Sequence, residues 1–179
     1  MFEWWKLRRS QKQTATEIYG AIVARARNPA FYRDCGVSDT PEGRYEVIVL
    51  VMSLVLERLG RLHADPGKSP VELQRLVIEA FVTDMDDSMR EMGVGDLSVP
   101  KKVKRAAAGL MERLEQYRTA LASADDAPLR VALEANMSDL GGMPAGVDQI
   151  VATMRAERQH LNGLDDVGLS QGNVTFAAR

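Results

Sequence analysis

Cysteine is nearly absent: the sequence has one, Cys35. A single thiol excludes an intramolecular disulfide and a cysteine-based zinc site, and it fits a reducing compartment. The two histidines, His63 and His160, lie far apart and belong to no HExxH or other ligand-spaced cluster. Each reads as a solvated residue near a helix end. Aromatic residues make up only 6% of the chain, which leaves few of the side chains that strands favour. The longest apolar run, Val47 to Leu56 broken by Ser53, falls well short of the ~20 residues that a membrane-spanning helix needs. A charge excess is also missing. Lys and Arg total 23 against 25 Asp and Glu, so no nucleic-acid partner is expected, and any polyanion or membrane contact has to come from a local patch. The first residues show neither the secretory nor the transit pattern, so the chain is expected to stay where it is made, in a bacterial cytoplasm.

What is present fits one helical domain. The 179 residues, 45% hydrophobic and 27% charged, suffice for one real core. Three regions are expected: a basic and aromatic segment over 1–13, a helical domain over 14–162, and a flexible glycine-rich tail over 163–179. Within the domain, Ala15, Ile18, Tyr19, Ile22 and Ala26 recur at helical spacing and predict a helix over about 14–28. Thr40-Pro41 starts a second helix running to about Leu62. Its middle, VIVLVMSLVL, is apolar on all sides. A buried strand could give the same run, but the charges flanking it extend it to helical length, so a central buried helix is preferred. Ser69-Pro70-Val71-Glu72 is a capping box opening a helix to about Met92. Val103, Ala107, Leu110, Leu114, Tyr117 and Leu121 form the seam of a helix over about 100–122. Two further helices are expected over about 128–140 and 147–161. The fold class is all-α, a bundle-like domain of six or seven helices.

No catalytic motif accompanies these helices. GxGxxG, the Walker A pattern, GxSxG, CxxC and HExxH are all missing, and no cofactor or metal is implied. The acidic run from Asp84 to Glu91 superficially resembles a calcium loop. An EF-hand starting at Asp84 needs glycine sixth and glutamate twelfth; those positions hold Met89 and Gly95. Cys35 has no nearby histidine and reads as a small hydrophobe beside a turn. Met85, Met89 and Met92 fall near one side of a helix, where core packing is the favoured account. The chain is therefore expected to act by binding rather than by catalysis.

Two charged regions break local rules. Asp84, Asp87 and Glu91 occupy the last turns of their helix, where the macrodipole disfavours acids. Asp84 also interrupts the apolar line of Leu73, Val77 and Ala80. Lys101, Lys102, Lys104 and Arg105 then crowd the first turns of the next helix, where bases are disfavoured. Either the two clusters face each other and cancel, or one of them reaches a partner. At the start of the chain, Phe2, Trp4, Trp5, Arg8 and Arg9 combine interfacial aromatics with basic residues. They are candidates for peripheral contact with an anionic membrane surface, on the inner face of the bacterial inner membrane.

Three segments carry a family likeness: YGAIVARARNPAFY from Tyr19 to Tyr32, GVSDTPEGRYE from Gly36 to Glu46, and DMDDSMREMGVGDLSVPKKVKR from Asp84 to Arg105. Over about residues 14–122 the chain resembles the ubiquinol–cytochrome c chaperone family, of alphaproteobacterial type. The resemblance implies an all-helical, non-enzymatic assembly chaperone of the cytochrome bc1 complex, with cytochrome b as client and a small helical protein as a conceivable assembly partner. It makes Tyr19, Phe31, Tyr32, Asp84, Asp87, Glu91, Lys101 and Lys104 candidate client or partner contacts; Gly93, Gly95 and Asp96 also match. A helical interaction module with no client is the alternative reading.

Overall fold

Helix follows helix along the chain, and the described residues contain no strand. The structure is a computed structural model that describes residues 2–63, 69–91, 99–137 and 146–177, with side chains described outside 2–8 and 99–108. Six long helices are α1 (Phe2–Ala26), α3 (Pro41–Leu59), α4 (Pro70–Glu91), α5 (Val99–Ala122), α6 (Ala127–Met137) and α7 (Val147–Asn162). Two one-turn helices, α2 (Pro29–Arg33) and α8 (Asp166–Ser170), join them. The all-α class and the long helices match the reading from the sequence.

Helix starts follow the local chemistry. Thr40 caps α3, its Oγ1 accepting the Gly43 N–H at 3.1 Å, with Pro41 in the first turn. Asn28 caps α2 in the same way, its Oδ1 accepting the Ala30 N–H at 2.9 Å. Between Phe2 and Tyr19 there is neither glycine nor proline, and α1 runs without a break through the boundary expected near residue 13. The basic and aromatic segment is thus the first part of α1 rather than a separate piece.

α3 is the hub. The apolar run 47–56 lies within it, and residues 49–56 are all buried. A helix apolar all round has to be surrounded, and α1, α4, α5, α6 and α7 all pack against α3. α4 lies across α1 and α5, and α6 bridges α5 and α7. Leu110, Leu114, Tyr117 and Leu121 of the α5 seam are buried, as are Cys35, Met52, Met137 and Met154. The start of α7 is jammed against the turn after α2: a Cβ on Gly146 would fall 1.6 Å from the Cys35 carbonyl oxygen, so only glycine fits.

The expected flexible tail is instead docked. Asp165 caps α8, its Oδ1 accepting the Gly168 N–H at 2.7 Å. The buried Arg58 on α3 donates from Nε to the Leu161 carbonyl at 3.0 Å, and from Nη2 to the Leu164 carbonyl at 2.8 Å and Asp166 Oδ1 at 2.5 Å. One guanidinium therefore binds a carbonyl in the last turn of α7, holds the connection after it and fixes α8. Beyond α8, Val174 and Phe176 pack half-buried against the core.

Candidate functional site

Asp84 breaks the apolar stripe of α4 because a hydroxyl meets it there. Tyr19 of α1 donates its O–H to Asp84 Oδ2 at 2.7 Å. The Tyr19 ring is 8% exposed and meets Phe81 edge-on, with centroids 6.2 Å apart. Burial, reinforced by the hydrogen bond to Asp84, pushes the Tyr19 hydroxyl above its ordinary range, so it remains a donor. Two candidate residues, 65 positions apart, thus form one contact locking α1 to α4.

The remaining candidates scatter around this pair. Asp87 and Glu91 are exposed on the last turns of α4, while Asp86, just before Asp87, is held by Arg90 at 2.8 Å. Tyr32 is half-buried, and its hydroxyl donates to the Ala26 carbonyl at 2.7 Å, satisfying the end of α1. Phe31 is only 2% exposed; α2 turns it into the core, where the Arg25 guanidinium stands 5.6 Å from its ring centroid. Phe31, a candidate contact in the sequence reading, is thus a core residue of α2. Lys101 and Lys104 belong to α5, but their side chains lie outside the described residues, as do Gly93, Gly95 and Asp96. The side chains of Phe2, Trp4, Trp5 and Arg8 lie outside them too; Arg9 is exposed.

Sequence reasoning missed a second cluster adjoining the first. Tyr45 of α3 packs on Phe81 at 5.8 Å, and the Arg113 guanidinium of α5 stands 5.8 Å from the Tyr45 ring. Arg113 Nε pairs with Glu46 Oε1 at 2.9 Å. Glu46 is buried on α3, and that burial pushes its carboxyl up to about 7 against the opposing pull of Arg113. Fully buried Tyr117 lies close enough to feel the Glu46 charge, which adds to burial in raising its hydroxyl. Tyr19, Phe81, Tyr45 and Arg113 thus form a continuous aromatic and cationic path from α1 through α4 and α3 to α5. No local pattern announces it, because each member comes from a different helix.

A cleft of about 270 Å³ opens elsewhere, between Ser10, Thr14 and Glu17 of α1 and Pro70 and Leu73 of α4. None of the candidate contacts lines it. Among the described residues no three His, Cys, Asp or Glu side chains gather as a metal site, and no helix is long and apolar enough to cross a membrane. The geometry describes an all-α protein whose distinctive features are interhelical contacts and an acidic helix end.

Comparison with known proteins identifies the class. The family model described as ubiquinol-cytochrome C chaperone matches residues 33–176. The chain is similar to the crystal structure of the Cbp3 homolog from Brucella abortus, with 31% identity, a TM-score of 0.81, and coverage of 99% of this chain and 97% of that one. No match is found among curated proteins. The chain belongs to the ubiquinol–cytochrome c chaperone family. The family match takes in the final third of the chain, beyond the 14–122 span on which the likeness was read from sequence, and starts later, at residue 33.

Proposed function

We propose that the chain is a chaperone that holds cytochrome b during assembly of the bc1 complex, acting without catalysis. The family match over residues 33–176 is the observation that carries this reading. The end of α4 is the proposed receiving surface: Asp84, Asp87 and Glu91, with Lys101 and Lys104 of α5 nearby in sequence and Tyr32 as an apolar contact. Asp87 and Glu91 are exposed, which supports a role outside the fold. The Tyr19–Asp84 contact holds that surface against α1. The start of α1 is the proposed membrane contact, through Phe2, Trp4, Trp5, Arg8 and Arg9, and keeps the protein where its client emerges. A membrane subunit exposes apolar helices and charged loops before its partners arrive, so it needs a surface to shield them.

Deleting the gene from its host is expected to lower cytochrome b and assembled bc1 complex and to spare other respiratory complexes. A tagged copy is expected to recover cytochrome b from detergent extracts. Normal bc1 levels in a strain with no second homologue would defeat the client reading and leave a helical interaction module.

A further inference from the structure

Glu46 of α3 has a side chain 6% exposed, and among the described residues its carboxylate receives a single donor. That donor is the Arg113 Nε–H, 2.9 Å from Oε1 and 3.1 Å from Oε2. One N–H shared between two oxygens is poor compensation for a buried charge. The Arg113 side chain is 30% exposed and its guanidinium also stands over the Tyr45 ring, so a position nearer to solvent is open to it.

Tyr117 follows Arg113 by four residues on α5, and residues so spaced share a helix face. The Tyr117 side chain is fully buried, yet its hydroxyl has no hydrogen-bond partner among the described residues. The neighbouring Asn136 amide gives its N–H groups to Gln116 at 3.0 Å and to the Ala132 carbonyl at 2.9 Å. Burial, with the Glu46 charge adding to it, holds the Tyr117 hydroxyl above its ordinary range, so the two groups are close. The Glu46 carboxyl thus sits between a cation that suits its ionised form and an orphan oxygen that suits its acid form, since only the acid has an O–H to donate. The groups acting on Glu46 are Arg113 and Tyr117 of α5 and Tyr45 of α3; no described side chain of α1, α4, α6 or α7 acts on its charge. Burial brings the acid form within reach near neutral pH, against the pull of Arg113.

We propose that Glu46 is a proton-operated switch for Arg113. Ionised, Glu46 holds the guanidinium neutralised between α3 and α5. Protonated, it turns to the Tyr117 oxygen and frees Arg113 as an outward cation, available to an anionic group on a partner. This is independent of whether cytochrome b is the client. Nuclear magnetic resonance of the full chain, with carbon-labelled glutamate and nitrogen-labelled arginine, tests it. The Glu46 carboxyl carbon is expected to titrate near pH 7. The Arg113 Nε–H resonance is expected to move with the same midpoint, protected from solvent exchange above it and exchanging freely below it. Glu46→Gln is expected to remove that pH dependence at Arg113. Tyr117→Phe takes away only the unpartnered hydroxyl, and it is expected to lower the Glu46 midpoint by roughly 0.5–1 in pH, the worth of one hydrogen bond to the acid form. A midpoint that is unmoved or raised in Tyr117→Phe overturns the proposal. So does a Glu46 that titrates in the ordinary carboxylate range, or an Arg113 resonance that does not follow it. If Tyr117→Phe does not fold, the response of Arg113 in the unmodified chain decides alone.

Discussion

At the scale of single residues, Asp84 and Glu46 show two ways in which a charge enters this fold. Asp84 is exposed and hydrated, and it also receives the buried Tyr19 hydroxyl. The asymmetry gives a prediction. Tyr19→Phe leaves Asp84 in water and is expected to cost about 1 kcal/mol. Asp84→Ala strands a buried hydroxyl and is expected to cost more, up to ~3 kcal/mol. The double variant is expected to be more stable than Asp84→Ala alone, since it no longer buries an unpaired donor. Urea denaturation of the four proteins checks this; additive losses would mean the two side chains do not interact. The sequence shows the break in the apolar stripe at Asp84. It does not show the partner, because pairing between α1 and α4 is decided by how the helices cross. Glu46 is less legible still: it reads as one of several flanking charges, and only the fold buries it beside Arg113. Its folded-state pKa, about 7, lies above the ordinary value of 4.5. Between these values the folded state binds more proton than the unfolded chain, so stability falls as pH rises through that window. The loss is at most ~3 kcal/mol by the usual conversion. Glu46→Gln is expected to flatten the fall between pH 5 and pH 8, measured by denaturant midpoints. An unchanged slope would show that Glu46 ionises freely in the native protein.

At the scale of elements, what was legible is what is local. Thr40-Pro41 and Ser69-Pro70 each state a helix start within four residues, and the structure places α3 and α4 there. The central helix was legible for a different reason: ten nearly unbroken apolar residues need burial whatever surrounds them. The segment after residue 163 was misread because its glycines and polar residues suggest a loose coil. What orders it comes from far away, since Arg58 reaches Asp166 across 108 residues. No local pattern carries that information. Arg58 is therefore expected to matter more than its surface-like chemistry suggests. Arg58→Gln removes the guanidinium from the Leu161 and Leu164 carbonyls and from Asp166. It is expected to lower stability by ~2–4 kcal/mol and to speed amide exchange first in α8 and the end of α7. Loss of stability spread evenly over all helices, with no preference for α8, would argue against this pinning role.

For the whole molecule, α1 joins two environments. Its inner face from Ala15 onward belongs to the core: Ala15, Ile18, Tyr19, Ile22 and Ala26 are buried. Arg9 and Ser10 are exposed, and the helix continues back to Phe2. Thirteen residues separate Phe2 from Ala15, or roughly 20 Å of helix at the usual rise. The basic and aromatic segment thus belongs to the same helix that carries Tyr19 against Asp84. A membrane contact there would orient the bundle, where a flexible tether would only localise it. Basic residues near an anionic surface contribute about 1 kcal/mol each. Replacing Arg8 and Arg9 together by Gln is therefore expected to weaken co-sedimentation with phosphatidylserine-containing vesicles by roughly 30-fold. High salt is expected to do the same, and neutral vesicles to bind weakly throughout. Removing residues 2–10 is expected to abolish sedimentation while leaving the thermal midpoint nearly unchanged, because among the described side chains of α1 burial begins at Ala15. Equal sedimentation of the truncated and full chains would place any membrane contact elsewhere on the bundle. A large drop in the thermal midpoint would show instead that Trp4 and Trp5 pack on the domain, and the segment would then be part of the core rather than its mooring.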